Sequence, residues 1–170
     1  FIYSLFCQLK ARNCKIALIT SGLPTPIVEK LANAVGADYA YGVDVEIQNN
    51  KLTGNISGDA INKNGKRKIL QEILTKENLT LQDCIIIADD RNNQAIFTKE
   101  TLKIGFNPDF RIRIKADRVV NGKLLSVLPI IDGKKHKWSF PTTNDLIRED
   151  IHAAGIFMPV IAGLISVPAV

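Results

Sequence analysis

The chain has 170 residues, of which 46% are hydrophobic, and it carries a formal net charge of +5. This length supports one hydrophobic core of roughly 100–150 residues, with some chain left over. The basic residues lie in short, scattered clusters with few aromatic residues between them, so we expect no nucleic-acid-binding surface. Cys7, Cys14 and Cys84 have no metal-ligand spacing, which favours reduced thiols in a cytoplasmic domain.

The first fourteen residues carry the apolar spacing of one helical face. The apolar positions are Phe1, Ile2, Leu5, Phe6 and Leu9. The positive charges of Lys10 and Arg12 follow this run, whereas a signal peptide has them before its apolar segment. We therefore predict that residues 1–14 form a helix ending a segment that lies upstream of the chain.

Residues 15–131 alternate between strand and helix patterns. "KIALITS", Lys15 to Ser21, is typical of a buried strand. In "TPIVEKLANAVG" we predict a helix with Thr25 as N-cap, Pro26 at its first position and Gly36 past its end. Alternating Val43, Val45 and Ile47 before an Asn-Asn turn predict a β-hairpin.

The pattern continues through the second half of this region. It predicts a helix over Lys66–Thr75, a strand "CIIIA", a helix "NNQAIFTKE" and a strand "TLKIGF". Strand and helix in alternation imply an α/β fold, a doubly wound parallel sheet covered on both faces. In such sheets ligands bind beyond the carboxyl ends of the strands.

Polar residues follow two of these strands. Ser21 and Gly22 end the first one, and the run Asp89 to Asn93 follows "CIIIA". Taken singly, each has an ordinary alternative: a strand-to-helix turn for Ser21-Gly22 and a solvated loop for "DDRNN". Together with the basic segment "NGKRK", they favour a phosphate site with Mg²⁺, which needs hydroxyl and amide donors, a cation and a metal-binding carboxylate.

The order of these motifs resembles the phosphoserine-phosphatase-like branch of the haloacid dehalogenase superfamily. The second motif of that family, a strand ending in Ser or Thr and then Gly, matches "ALITSG" with Ser21 and Gly22. The third, a lysine that opens a helix, matches Lys66, with Lys68 as the runner-up. The fourth, G-D-G-x-N-D after an apolar strand, matches "ADDRNN".

The resemblance implies roles for individual residues. Ser21, Lys66 and Asp89 would be catalytic, with Asp89 as the Mg²⁺ ligand. Ser21, Gly22, Lys66 and Asn92 would contact a small phosphorylated substrate, and Asn92 would orient the substrate or the loop. The implied activity is a Mg²⁺-dependent phosphomonoester hydrolase with an aspartate nucleophile.

Two departures from the family pattern affect these expectations. Asn93 stands where the family has its final Asp, and Ala88 and Asp90 stand in the glycine places. No D-x-D-x-T motif occurs in the chain. We expect the nucleophile upstream of Phe1 and this fragment alone to be inactive. The alternative is a non-catalytic phosphate-binding or regulatory module on the same fold, tethered to a membrane lipid kinase or transferase-like domain. A nucleotide-binding domain is disfavoured because no glycine-rich fingerprint follows either strand.

The C-terminal part has a different composition. We predict a linker over residues 132–145 and the start of a membrane segment over 146–170. Residues 151–170 contain no Asp, Glu, Lys or Arg. This composition favours a transmembrane helix, through which the protein would contact the membrane or be anchored in it, and it disfavours the alternative of a buried core helix. This tail also resembles the opening of a dolichol-kinase and cytidylyltransferase-like membrane domain, with matches at Arg148, His152, Gly155 and Pro159. Nothing in the sequence indicates an oligomeric state.

Overall fold

The computed structural model describes residues 2–134 and the backbone of residues 164–168. The helices are α1 (Ile2–Lys10), α2 (Thr25–Val35), α3 (Gly65–Glu77), α4 (Phe110–Arg113) and α5 (Leu128–Lys134). The strands are β1 (Cys14–Pro24), β2 (Tyr39–Gln48), β3 (Lys51–Ser57), β4 (Ile85–Ala88), β5 (Leu102–Phe106), β6 (Arg118–Val120) and β7 (Leu164–Pro168).

The strands form one seven-stranded sheet in the order β3-β2-β1-β7-β4-β5-β6. The pairs β1–β2, β4–β5 and β5–β6 are parallel. The hairpin strand β3 is antiparallel to β2, and the turn between them uses Asn49 and Asn50, both with positive φ. The predicted α/β fold with a parallel sheet and a β-hairpin is confirmed.

The central strand of the sheet comes from the C-terminal region. β7 lies between β1 and β4 and is antiparallel to both. Residues 164–168 are therefore a strand, not part of the predicted transmembrane helix, while residues 135–163 lie outside the described residues. Within the described part of the chain, no helix has the length and apolar character needed to cross a membrane.

Both faces of the sheet are covered, as the alternation of side chains along each strand requires. On one face, Ile16 and Leu18 of β1 pack with α1, α2 and the segment that leads into α5. On the other face, Ala17 and Ile19 pack with α3. The sheet is thus packed on both faces, and the carboxyl edge is where such sheets bind their ligands.

Two local predictions are wrong in detail. Helix α2 begins at Thr25 and has Pro24 as its N-cap, and the Thr25 hydroxyl instead donates to the Val43 carbonyl. The α-helix predicted after β4 is a 3₁₀ helix, Arg91–Ile96. This segment has the tighter 3₁₀ geometry because the Asp90 carbonyl accepts the Asn93 N–H, a hydrogen bond between residues three apart.

Candidate active site

The carboxyl ends of β1 and β4 lie at the same edge of the sheet. Leu18 of β1 and Ile87 of β4 both pair with Leu164 of β7, so the two residues lie at one level. Ser21 follows Leu18 along β1, and Asp89 follows Ile87 just after β4, so both residues lie at this edge. Because one strand separates β1 from β4, these two strands are about 10 Å apart here.

Lys66 reaches this edge from the first turn of α3. Its neighbour Gly65 packs so tightly that a Cβ there would lie 1.6 Å from the carbonyl oxygen of Asp59. Only glycine permits this approach, which fixes where α3 begins. The Lys66 side chain is 3% exposed, and its ammonium donates a hydrogen bond to Asn93 Oδ1 at 2.8 Å.

The two carboxylates after β4 have different surroundings. Asp90 accepts hydrogen bonds from the backbone N–H and the side-chain amide of Asn92, and from the side-chain amide of Asn93, at 2.8–3.0 Å. Oδ1 of Asp89 is buried and has no hydrogen-bond partner. Asp90 thus organises the loop, whereas Asp89 has an oxygen available for a ligand.

Charge and burial shift the pKa values of this group. Burial raises the pKa of Asp89, and the negative charge of Asp90 raises it further, while hydrogen bonding to the backbone N–H groups of residues 89 and 90 and then the charge of Lys66 act in the opposite direction. Burial lowers the pKa of Lys66, against the opposing effect of the carboxylates of Asp90 and Asp89. An acid with a raised pKa and a lysine with a lowered one share an edge of the sheet, a combination typical of functional sites.

Two of the positions at which this motif departs from the family pattern, 90 and 93, contact each other. Position 90 has gained a carboxylate and position 93 has lost one. The Asn93 amide uses both ends: its oxygen accepts from Lys66 and its nitrogen donates to Asp90. An Asp at position 93 would have no N–H to donate to Asp90. Because position 90 gains a carboxylate and position 93 loses one, the number of carboxylates in the loop stays the same. The Asn92 side-chain amide donates to Asp90 rather than pointing away from the loop.

Ser21 and Gly22 form the β1 side of the site. Among the described residues, the Ser21 hydroxyl has no hydrogen bond to Lys66 or Asp89, so the structure brings Ser21 to the edge without joining it to them. A Cβ at Gly22 would meet only the Thr20 hydroxyl oxygen, at 3.7 Å, an ordinary contact. Local packing therefore does not require glycine at position 22, and its small size leaves room for a ligand.

Sequence reasoning missed Asp109, which follows β5 and supports the Asp89 loop. Its backbone N–H donates to the Asp89 carbonyl at 2.7 Å. Its carboxylate accepts the backbone N–H groups of Arg91 and Ile112 at 3.0 and 2.8 Å. The available signal was the position of Asp109 at the carboxyl end of a strand parallel to β4, next to a predicted site strand.

The carboxyl edge of the sheet offers one candidate metal ligand. Within residues 2–134 and 164–168, no three His, Cys, Asp or Glu side chains form a cluster that could hold a metal ion. The partnerless Oδ1 of Asp89 nevertheless fits one ligand of Mg²⁺, a cation that takes oxygen ligands, usually from one or two carboxylates.

A family comparison agrees with this geometry. The model of the haloacid dehalogenase-like hydrolases matches residues 3–92, more than half of the chain. The chain belongs to the haloacid dehalogenase-like hydrolases. The match runs from α1 through the Asp89 loop.

Individual proteins to which the chain is similar are phosphoserine phosphatases. It is 32% identical over 110 residues to a phosphoserine phosphatase of Methanocaldococcus jannaschii, covering 65% of this chain and 52% of that protein. For a phosphoserine phosphatase of Archaeoglobus fulgidus the identity is 31%, over 65% of this chain and 32% of that protein. The chain thus spans about half, or less, of the length of these relatives.

Solved structures give the same result. A substrate-bound phosphoserine phosphatase complex superimposes with a TM-score of 0.70 at 29% identity, covering 75% of this chain and 61% of that chain. A phospho-aspartyl intermediate analogue of phosphoserine phosphatase has the same TM-score, identity and coverage.

Proposed function

We propose that the chain supplies the phosphate- and metal-binding part of a Mg²⁺-dependent phosphomonoester hydrolase of the phosphoserine-phosphatase-like type. The observation that carries this proposal is the pairing of a buried lysine with a partnerless carboxylate oxygen at one edge of the sheet, in Lys66 and Asp89. Burial strengthens the attraction of Lys66 for a phosphoryl anion and of the Asp89 carboxylate for a metal cation, because a site with little water screens charge weakly.

Each residue has a defined part in this proposal. Lys66 donates to a phosphoryl oxygen and offsets its charge, while Ser21 donates a hydrogen bond from the β1 side. Gly22 allows the phosphoryl group to approach the backbone closely. Asn92 holds the Asp90 carboxylate and so keeps the loop in place.

Asp89 would hold Mg²⁺ through its free Oδ1. A bound Mg²⁺ would offset charge on the phosphoryl group as that charge develops. The supporting residues are those that fix the Asp89 loop: Asp90 from within the loop and Asp109 from the neighbouring strand end. These contacts restrict the orientation of the ligand before any ion binds.

We place the aspartate nucleophile in a segment upstream of Phe1. The absence of a D-x-D-x-T motif from the sequence supports this placement. The strand between β1 and β4 is β7, and its sequence "LISVP" contains no carboxylate. A nucleophile supplied from elsewhere would have to reach the same edge, between Ser21 and Asp89.

The test compares two proteins: this chain, and a longer form that carries the preceding residues. Phosphate release from phosphoserine and from p-nitrophenyl phosphate is measured with Mg²⁺. Phosphoserine comes first because the relatives carry that substrate in their names. We expect no turnover by the chain and Mg²⁺-dependent turnover by the longer form. Turnover by the chain alone contradicts our placement of the nucleophile, and a longer form that binds phosphate without turnover favours the non-catalytic module.

A further inference from the structure

A short segment at the carboxyl edge carries two highly exposed apolar side chains. Phe110 is 75% exposed and Ile114 is 64% exposed. They are four residues apart, and Ile114 keeps helical backbone angles at the end of α4, so both lie on one face of the turn. Ile112, between them, is fully buried. Single exposed apolar residues are common on protein surfaces, but an adjacent pair on one face is less so.

The exposure of this pair is built into a firmly held element. The Asp109 carboxylate caps α4 by accepting the Ile112 N–H at 2.8 Å, and the same carboxylate accepts the Arg91 N–H. With Ile112 anchored in the protein interior, the turn cannot rotate to bury Phe110 and Ile114. The two side chains are thus presented outward by the fold.

Three exposed cations alternate with these apolar side chains: Arg111, Arg113 and Lys115. Neither arginine has an ion pair within the part of the chain that the structure describes. Lys115 donates to the neutral side-chain amide of Gln94 at 2.9 Å and therefore keeps its net charge. We call Phe110–Lys115 the basic-apolar turn.

The nearby acidic groups are committed to other partners. The Asp109 carboxylate accepts the two backbone N–H groups named above. The Asp117 carboxylate accepts the Lys103 N–H at 2.8 Å and pairs with the Lys103 ammonium at 3.0 Å. Backbone N–H groups are neutral, so Asp109 keeps its negative charge, whereas the charge of Asp117 is balanced by Lys103. The three cations of the basic-apolar turn exceed the one charge of Asp109 by two, which leaves the turn with a net positive charge.

We propose that the basic-apolar turn docks the protein on an anionic lipid surface. Arginine and lysine side chains attract the negatively charged head groups, and exposed Phe and Ile side chains insert at the boundary between head groups and acyl chains. This combination of charges and apolar groups is complementary to such a surface. A nucleic acid or an acidic protein would use the cations but would gain little from the aliphatic Ile114. The docking does not depend on the proposed phosphatase activity.

The β2–β3 hairpin provides a matched comparison. Its residues Leu52 and Ile56 are also exposed, at 69% and 54%. The side chain that organises the hairpin is the acidic Glu46, which accepts from Thr53 and Asn55. The hairpin therefore has exposed apolar groups without the cluster of cations.

The experiment is co-sedimentation of the full 170-residue chain with lipid vesicles. Vesicles of phosphatidylcholine alone are compared with vesicles in which phosphatidylglycerol makes up about a third of the lipid. We expect binding to the anionic vesicles and little to the neutral ones. The Phe110→Ser/Ile114→Ser variant should weaken binding by at least about tenfold. The Arg111→Gln/Arg113→Gln variant should weaken it by about tenfold to thirtyfold.

Two controls match these changes at other exposed positions. Leu52→Ser/Ile56→Ser removes the same kind of apolar surface, and Lys30→Gln/Lys51→Gln removes the same charge; both should bind like the wild type. All four variants should unfold at nearly the wild-type denaturant concentration, since the changed side chains are exposed.

Three results overturn the proposal. The first is no binding to anionic vesicles. The second is binding that survives both the Phe110→Ser/Ile114→Ser and the Arg111→Gln/Arg113→Gln changes, which places the contact elsewhere in the chain. The third is loss of binding in the arginine variant alone, which indicates a purely electrostatic surface for a nucleic acid or an acidic protein.

Discussion

The Lys66 ammonium donates a hydrogen bond to Asn93 Oδ1 over 2.8 Å, in a buried contact between α3 and the loop after β4. Asn93 is fully buried and passes the contact on to Asp90 through its amide nitrogen. One neutral side chain therefore joins the Lys66 cation to a carboxylate of the loop after β4. A buried amide with both ends bonded holds Lys66 and the loop in a fixed relation.

The first prediction concerns this contact. Asn93→Asp removes the N–H that Asp90 accepts and places two carboxylates together, so we expect a loss of about 1–3 kcal/mol in the free energy of unfolding. Asp90→Gly alone removes the acceptor for Asn92 and Asn93 and should also destabilise the fold. The double variant restores the family arrangement and should be more stable than the sum of the single changes by about 0.5–3 kcal/mol. Urea denaturation of the four proteins measures this coupling, and additive effects would contradict it.

The second prediction concerns stability against pH. Because burial and Asp90 raise the pKa of Asp89, the folded state binds this proton more tightly than the unfolded state. The stability contributed by Asp89 therefore falls as pH rises above the ordinary aspartate pKa of about 4. The Asp89→Asn side chain does not ionise, so this variant does not lose stability in this way as the pH rises. Its free energy of unfolding should exceed that of the wild type at pH 7, and the difference should shrink toward acid pH.

Asp90→Asn is the control for that experiment. It weakens an acceptor that binds three N–H groups, so it should lower the free energy of unfolding at pH 7. Denaturation curves across the pH range compare the two variants with wild type. If Asp89→Asn is less stable than wild type at pH 7, the Asp89 carboxylate has a partner that our account lacks.

The third prediction separates Lys66 from its neighbour Lys68. In the longer form, Lys66→Met keeps much of the side-chain volume and should preserve the fold, while the hydrolysis rate falls by about 10²-fold or more. Lys68 is exposed and pairs with Asp59 at 2.8 Å, so Lys68→Met should leave the rate nearly unchanged. Steady-state kinetics of both variants decide between them. A larger loss of rate for Lys68→Met than for Lys66→Met would show that Lys68, two residues further along α3, is the lysine of the family motif.

The fourth prediction uses two glycines with different surroundings. Gly65→Ala forces a Cβ against the Asp59 carbonyl and should cost about 1–3 kcal/mol of stability. Gly22→Ala meets only an ordinary contact and should change stability by less than about 0.5 kcal/mol. It should nevertheless weaken phosphate binding, because the added methyl group occupies the space where the ligand approaches. Gly22→Ala that binds phosphate like wild type would remove Gly22 from the site.

The positions of Ser21, Lys66 and Asp89 could be predicted because strand and helix periods are local signals. Parallel strands bring their carboxyl ends to one edge, so the end of each apolar run located a candidate residue. The choice between Asp89 and Asp90 rested on the family pattern and stays a prediction. The structure adds that Asp90 is hydrogen-bonded within the loop, whereas Oδ1 of Asp89 has no partner.

Other features depend on contacts between distant parts of the chain. Asp109 supports the Asp89 loop only because β4 and β5 pair, a relation that no local pattern contains. The 3₁₀ helix after β4 depends on bonds within the Asp90–Asn93 turn, which outweigh helix propensity over so short a segment. Residues 164–168 were predicted from apolar composition as membrane-spanning, and composition does not distinguish such a segment from a central strand buried on both faces.

The most direct test of the proposed site is a titration of the ¹⁵N-labelled chain with orthophosphate in the presence of Mg²⁺, followed by NMR. We predict that the amide signals of Ser21, Gly22, Lys66 and Asp89 shift together and saturate, and that Lys66→Met abolishes the shifts while the rest of the spectrum is unchanged. Shifts confined to other residues, such as those of the basic-apolar turn, or shifts that persist in Lys66→Met, would contradict the assignment of this edge as a phosphate site.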